Sequence, residues 1–300
     1  MSTALEPSKK ELRTAWGLFF LTTASVYFTY GWLWEAGSPF SDRGTMLRSG
    51  VFAVALMAIL AAHELAHYWV AKRHGFALSL PYFIPFPFAF GTLGAVIRLK
   101  SLPKSRTGLL EMGAAGPIAG ALVAFLCLLV GLHGTVPVDA PPLSDEGIDI
   151  LIFGNPPVMD LLGEMLLGEV PGRYDVLTPL ALAGWVGCFL TALNLLPVGQ
   201  LDGGHIVNAL VPRWAPSVSK VVILGLLLSG YFLWEGWAVW AVLLIFMGAW
   251  ESLEVPNQPS LTARARAVAF VVLLFMGLCF MPKPLQSEQV EFLPGSEVSP

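Results

Sequence analysis

The sequence predicts an all-α, polytopic membrane protein with about six or seven transmembrane helices and a re-entrant β-hairpin or loop near residues 79–98. Hydrophobic residues make up 55% of the 300 residues and charged residues only 13%, which is far more apolar than a soluble domain. The mean hydropathy of +0.69 agrees with this. Apolar segments close to the roughly 20 residues that cross a bilayer recur along the chain, and basic residues gather beyond their ends.

Seven apolar segments are candidates for crossing the membrane. The first follows Lys9, Lys10 and Arg13 and has no small-residue cleavage site, so we expect it to stay as an anchor. The sixth is short for a crossing, and the side of the carboxyl terminus depends on it. The expected spans are residues 14–34, 50–70, 107–133, 177–198, 218–234, 237–250 and 265–281.

The basic residues predict the orientation of these spans. Most of them fall on one side, which the positive-inside rule makes cytoplasmic. We therefore expect a cytoplasmic amino terminus and an external acidic loop at residues 134–175. The expected location is the bacterial inner membrane, with an organellar membrane as the alternative. The residues on the cytoplasmic side are Lys9, Lys10, Arg13, Lys72, Arg73, Arg98, Lys100, Lys104, Arg106, Arg213, Lys220, Arg264 and Arg266.

Charge and cysteine content exclude several other classes of protein. The net charge is −4, and no basic tract extends beyond the flanks of the spans. The chain therefore lacks the basic patch that is typical of nucleic-acid-binding proteins. The cysteines, Cys127, Cys188 and Cys279, fall singly in three different spans. This pattern predicts neither a disulfide framework nor a cysteine zinc cluster.

A charged cluster, His63-Glu64-Leu65-Ala66-His67, lies inside the apolar segment 50–70. Ionisable side chains at membrane depth are costly and usually functional. Two histidines four residues apart share one helix face and can bind one Zn²⁺, while Glu64 can reach a metal-bound water. The alternative is an interhelical polar contact, in which the histidines only hydrogen-bond their neighbours.

A second motif, Asn194 to His205 with the sequence NLLPVGQLDGGH, is the best candidate for a further ligand. A catalytic zinc site needs a third protein ligand and an open fourth position. We predict that Asp202 is this ligand, because the expected topology brings it to the same side and depth as His63 and His67. The alternative is a helix stop, in which Asp202 caps the following helix. His205 stays unassigned, since a fourth protein ligand would close the site.

The two motifs together resemble the signatures of the site-2 protease family of intramembrane zinc metalloproteases. The resemblance covers roughly residues 50–209. It implies that His63, His67 and Asp202 bind one Zn²⁺ per chain and that Glu64 activates water. It also implies that Asn194 positions the substrate carbonyl or stabilises its oxyanion.

Two further stretches extend the resemblance. Gly116-Pro117-Ile118-Ala119-Gly120 is similar to the family's small-residue GP motif, although close helix packing alone would explain it. The apolar segment 80–90 contains three prolines and cannot form a regular helix, and residues 91–97 have the composition of a short strand. Family members place a membrane-associated β-hairpin here, whose edge would pair with an extended substrate. A proline-rich loop packed on the helices is the alternative.

The sequence shows no internal repeat and one sizeable loop, so we expect one membrane-embedded metalloprotease domain at residues 1–282, with its core at 50–209, and a disordered, proline-containing tail at 283–300. Its expected activity is hydrolysis of a peptide bond in or near the transmembrane segment of another membrane protein, close to the cytoplasmic leaflet. Expected partners are that substrate and the lipid bilayer, and any regulation would come from a partner protein, substrate access or prior trimming. The alternative function is a transporter or ion-binding scaffold without enzymatic activity.

Overall fold

The computed structural model describes residues 7–35, 37–100, 103–138, 148–249 and 261–290, and this part of the chain is mostly helical. It contains nine α-helices and four short strands. The helices are α1 (Lys9–Thr29), α2 (Arg43–Arg73), α3 (Arg106–Gly131), α4 (Pro157–Leu167), α5 (Pro179–Asn194), α6 (Asp202–Leu210), α7 (Ala215–Phe232), α8 (Gly236–Phe246) and α9 (Ala263–Cys279).

Each of the seven predicted apolar segments overlaps a helix, and residue 250 of the sixth segment lies outside the described residues. Three helices, α2, α3 and α7, are long and apolar enough by themselves to cross a membrane. The apolar helices α5 and α8 are shorter, with 16 and 11 residues. The structure thus confirms a mostly helical protein with candidate membrane-spanning helices, while the expected number of six or seven crossings stays a prediction.

Helix α2 carries the HELAH motif and is defined by clear signals at both ends. The Asp42 carboxylate accepts hydrogen bonds from the Thr45 backbone N–H and hydroxyl, at 3.0 and 2.7 Å, and the bonds from Thr45 lower the pKa of Asp42 to about 2. This amino-terminal cap therefore stays ionised across the neutral pH range. Lys72 and Arg73 occupy the last turn, where cations complement the helix dipole.

The core around α2, α3 and α5 depends on small residues that let the helices approach closely. A Cβ atom added at Gly184 of α5 would lie 2.8 Å from the Ala124 carbonyl oxygen of α3. Large side chains fill the remaining space, and Phe52, Leu56 and Trp185 are fully buried. The buried Trp185 indole satisfies its N–H by donating to the Gly154 carbonyl at 2.7 Å.

A β-hairpin forms where the sequence predicts one. Strands β1 (Tyr82–Pro85) and β2 (Thr92–Val96) pair antiparallel, and the hairpin runs along α1 and the π-helical turn Tyr30–Trp34 that follows it. Its insertion into the membrane stays a prediction. Near the start of α1, Lys100 Nζ lies 2.6 Å from Glu11 Oε1, and further along the ring centres of Phe83 and Phe19 lie 5.2 Å apart. In the turn after α1, the Trp34 indole N–H donates to the Ala89 carbonyl at 3.0 Å.

Two predictions about strands and the tail need correction. The fold is not purely helical, because it contains a second two-stranded sheet of β3 (Ile148–Phe153) and β4 (Leu285–Val290). The predicted disordered tail is wrong for residues 285–290, since β4 pairs along its whole length with β3. Backbone pairing with a distant segment leaves no local sequence signal. Residues 291–300 of the predicted tail lie outside the described residues.

Candidate metal centre

The three predicted ligands converge on one point. His63 Nε2 and His67 Nε2 lie 3.0 Å apart, and each lies 3.1 Å from an oxygen of Asp202, Oδ2 and Oδ1 respectively. Both histidines are buried, with 6% and 7% of their surface exposed. This is the one group of metal-ligating side chains that the described residues bring together.

The orientation of His67 is imposed by helix α3. His67 Nδ1 lies 2.7 Å from the Met112 carbonyl oxygen, and because a carbonyl only accepts, Nδ1 must carry the proton. The other ring nitrogen, Nε2, is then free as a metal ligand. A second bond of this kind typically fixes the tautomer and ring plane of a metal-binding histidine.

Asp202 reaches the histidines because the two glycines after it allow a tight turn. A Cβ atom at Gly203 would lie 2.1 Å from the Leu195 carbonyl oxygen, and one at Gly204 would lie 2.2 Å from the Gly199 carbonyl oxygen. The residue before α6 is Leu201, and no side-chain hydrogen bond caps that helix. The carboxylate of Asp202 faces the histidines, so the alternative reading of Asp202 as a helix cap is wrong.

Glycines of α3 form the wall opposite the histidines. A Cβ atom at Gly116 would lie 2.0 Å from His67 Nε2, and one at Gly120 would lie 3.2 Å from His63 Cβ. Gly113 makes the same kind of room for α6, since its Cβ would lie 3.0 Å from the Asp202 carbonyl oxygen. The GP motif is therefore a packing motif, and the side chains that pack against it are the histidines of the candidate metal site.

Glu64 lies beside His63 and is 5% exposed. Within the described residues its carboxylate forms no hydrogen bond or ion pair with another side chain, so both oxygens are available for a water molecule. Asn194 is the last residue of α5 and is partly buried. It is not among the clustered side chains, and its role in the substrate complex stays a prediction.

His205 stands apart from the three converging ligands, in agreement with leaving it unassigned. Its Cβ atom packs close to Gly113 of α3, and its buried Nδ1 has no hydrogen-bond partner within the described part of the chain. The Met112 carbonyl has no signal in the sequence, because any residue supplies a backbone carbonyl. The contact of His74 Nε2 with Glu111 Oε2 at 2.9 Å, which links α2 to α3, has none either.

The donor set fits a zinc ion. Two imidazole nitrogens and a carboxylate oxygen are ordinary zinc ligands, and a tetrahedral ion with bonds of about 2.0–2.1 Å holds its donors about 3.3–3.4 Å apart. The observed separations of 3.0–3.1 Å are close to this. With three protein ligands the fourth position would be open, as in catalytic rather than structural zinc sites.

The family model described as Peptidase family M50 matches residues 51–233, which include both motifs. The chain belongs to peptidase family M50. Membership in this family confirms the predicted resemblance to the site-2 proteases, which are a family of zinc metalloproteases. Zn²⁺ as the family's metal also agrees with the donor set of His63, His67 and Asp202.

Curated relatives of this M50 chain carry matching names. It is 33% identical over 211 residues to the probable zinc metalloprotease EGY2, chloroplastic, of Oryza sativa subsp. indica, covering 69% of this chain and 37% of that protein. It is 33% identical over 215 residues to the probable zinc metalloprotease EGY1, chloroplastic, of Arabidopsis thaliana, covering 68% and 37%. The match thus spans little more than a third of either relative. No solved structure matches the chain.

Proposed function

We propose that this M50 peptidase is an intramembrane metalloprotease that hydrolyses a peptide bond in or near the transmembrane segment of a membrane protein, close to the cytoplasmic leaflet. The observation that carries the proposal is the convergence of His63, His67 and Asp202, with Glu64 beside them, among apolar helices. Glu64 is what favours hydrolysis over ion binding, because an ion site needs the three ligands but no additional buried carboxylate.

The roles of the residues follow from their chemistry. His63, His67 and Asp202 would hold the zinc ion, which supplies the Lewis acidity that activates water and polarises a peptide carbonyl. Glu64 would accept a proton from the attacking water and deliver it to the leaving amide nitrogen. The Asn194 amide would donate a hydrogen bond to the developing oxyanion. Burial of the site strengthens each of these electrostatic interactions.

The hairpin would present the substrate to this site. From Glu11 to Trp34 the helical axis rises roughly 30–35 Å, which is about the thickness of the hydrocarbon core. The hairpin contacts both ends of this stretch, through Lys100 and Ala89, and this supports the proposal that it enters the membrane beside α1. The edge of β2 would then pair with an unwound substrate backbone.

We further propose seven crossings, with the amino terminus in the cytoplasm and β4 outside. The pairing of β3 with β4 supports this, because the two strands must lie on the same side. An even number of crossings must therefore separate them, and α5, α7, α8 and α9 make four if the short α8 crosses. The single metalloprotease domain with its core at 50–209 remains part of the proposal. The chloroplastic names of the relatives fit the organellar alternative.

Side-specific labelling would test this topology. The native cysteines are buried, so single cysteines introduced at exposed positions can be labelled with a membrane-impermeant maleimide in sealed vesicles. We expect Glu169→Cys and Ser287→Cys to react from one side and Lys9→Cys from the opposite side. Reaction of Ser287→Cys from the same side as Lys9→Cys would contradict seven crossings.

Removing a ligand would test the metal site. We expect His67→Ala and Asp202→Ala each to reduce bound zinc from one ion per chain to well below one tenth, because two ligands rarely retain the ion. His205→Ala is the matched control and should keep its zinc, since His205 is not among the converging ligands. Metal content of the purified proteins and cleavage of a model transmembrane peptide are the measurements. Stoichiometric zinc in Asp202→Ala would refute the assignment.

A further inference from the structure

An open groove separate from the metal cluster lies between the carboxyl-terminal end of α2, the first turns of α3 and the start of α9. Its volume is about 430 Å³, within the range of small-molecule sites. In the proposed topology these three helix ends all lie on the cytoplasmic side. None of the groove residues takes part in the proposed hydrolysis.

The groove is polar at its mouth and apolar inside. On α2, Arg73 lies at the mouth and Val70 lies one turn deeper in the membrane. On α9, Arg264 lies at the mouth and Val268 lies one turn deeper. On α3, Glu111 lies at the mouth and Ile118 lies about two turns deeper. On all three helices, charged residues therefore lie at the mouth of the groove and apolar residues lie deeper.

The charge at the mouth is net positive. The groove lining has one carboxylate, Glu111, against two guanidinium groups, Arg73 and Arg264. Glu111 lies 2.9 Å from His74 Nε2 and 3.6 Å from Arg264 Nε. The Arg264 side chain is 82% exposed, and it contacts Glu111 through Nε. Arg73 stacks 5.5 Å from the centre of the Trp69 ring and forms no ion pair within the described residues. Both guanidinium groups therefore have N–H donors available for an anion.

We propose that this groove binds one anionic phospholipid. Its phosphate would lie between Arg73 and Arg264, and an acyl chain would lie against Val70, Ile118 and Val268. Basic pockets between membrane helices on the cytoplasmic side suit anionic headgroups, guanidinium groups bind phosphate through paired hydrogen bonds, and the partly buried apolar wall favours hydrocarbon. The inference rests on the proposed membrane placement of the chain but not on its proteolytic activity.

The lipid would also contact the helices that build the metal centre. Val70 lies one turn beyond the ligand His67 on α2, and α3 carries Gly116, which abuts that histidine. A lipid that joins α2, α3 and α9 would therefore restrain two walls of the candidate active site.

Lipid retention measured by native mass spectrometry would test the proposal. Full-length protein in neutral detergent is titrated with phosphatidylglycerol or with phosphatidylcholine of the same chains. We expect one phosphatidylglycerol per chain to be retained in preference to phosphatidylcholine. The double variant Arg73→Gln, Arg264→Gln should lose this preference, with an affinity about 30-fold lower, since each cation near the surface contributes about fivefold.

Three further variants distinguish lipid binding in the groove from a nonspecific effect of charge. Arg266→Gln removes an exposed cation of the same helix outside the groove and should leave retention unchanged. Ala115→Leu fills the groove without changing its charge and should lower retention. Glu64→Gln should bind lipid like the wild type, which separates this inference from the proteolytic one. Equal losses in Arg266→Gln and the double variant, or displacement of the lipid by glycerol phosphate at similar concentrations, would overturn the proposal.

Discussion

Replacing Glu64 with glutamine is expected to lower the rate of peptide cleavage by about 10²- to 10⁴-fold, the usual contribution of a positioned general base. Glutamine has nearly the same shape as glutamate but cannot accept the proton of the attacking water. Zinc content should stay at one ion per chain, because Glu64 is not among the three converging ligands. Cleavage of a model transmembrane peptide and metal content should both be measured on the same preparations.

A matched control is available in Glu164, an exposed carboxylate on α4. Glu164→Gln removes the same charge and should cleave at the wild-type rate. Full activity in Glu64→Gln would remove the general base from the mechanism. If the wild-type chain bound zinc and never cleaved the peptide, the ion-binding scaffold would become the better interpretation, since such a scaffold has no need of Glu64.

Replacing Gly116 with alanine is expected to remove zinc, although alanine is a better helix former than glycine. The new methyl carbon would lie 2.0 Å from His67 Nε2, far inside van der Waals contact and at the atom that would bind the metal. The ring has little freedom to move aside, because Nδ1 is bonded to the Met112 carbonyl of the same helix α3. We expect zinc affinity to fall at least 10- to 100-fold, which is the usual effect of disturbing the contacts that orient a metal-binding histidine.

Alanine variants of two other glycines serve as controls for this prediction. Gly50 of α2 has no atom within 4 Å of an added Cβ, so Gly50→Ala should keep its zinc and unfold no more readily than the wild type. A Cβ at Gly120 would lie 3.2 Å from His63 Cβ and Nδ1, a contact that a small shift can relieve, so Gly120→Ala should fall between the two. Zinc retention by Gly116→Ala equal to that of Gly50→Ala would show that His67 does not point at α3.

The candidate ligands could be predicted because their signals are local or topological. His63 and His67 share a helix face by their spacing alone. Asp202 required only that the apolar spans be counted correctly, since counting places it on the same side of the membrane. The GP motif was harder, because small residues indicate close packing without naming the partner. The structure identifies the partner, since the side chains of His67 and His63 lie where a Cβ atom of Gly116 and Gly120 would otherwise be placed.

Other features could not be predicted because they join segments that are far apart in the sequence. The pairing of β3 with β4 connects residues 148–153 to residues 285–290 through backbone groups that every residue carries. The contact of Ala89 with Trp34 likewise depends on how the hairpin lies along α1. The groove mouth needs Arg73 and Arg264 to come together from the ends of two helices almost 200 residues apart.

The amino-acid sequence by itself determined which segments are helical and apolar, and which side chains have the chemistry of a hydrolytic zinc site. Hydrophobic length and the spacing of ligands along one helix are properties of a single segment, so they can be read without the fold. Only the tertiary structure decided that His63, His67 and Asp202 meet within about 3 Å. That meeting depends on the absence of side chains at Gly116, Gly203 and Gly204, and whether an absent side chain leaves useful space is known only when its neighbours are in place.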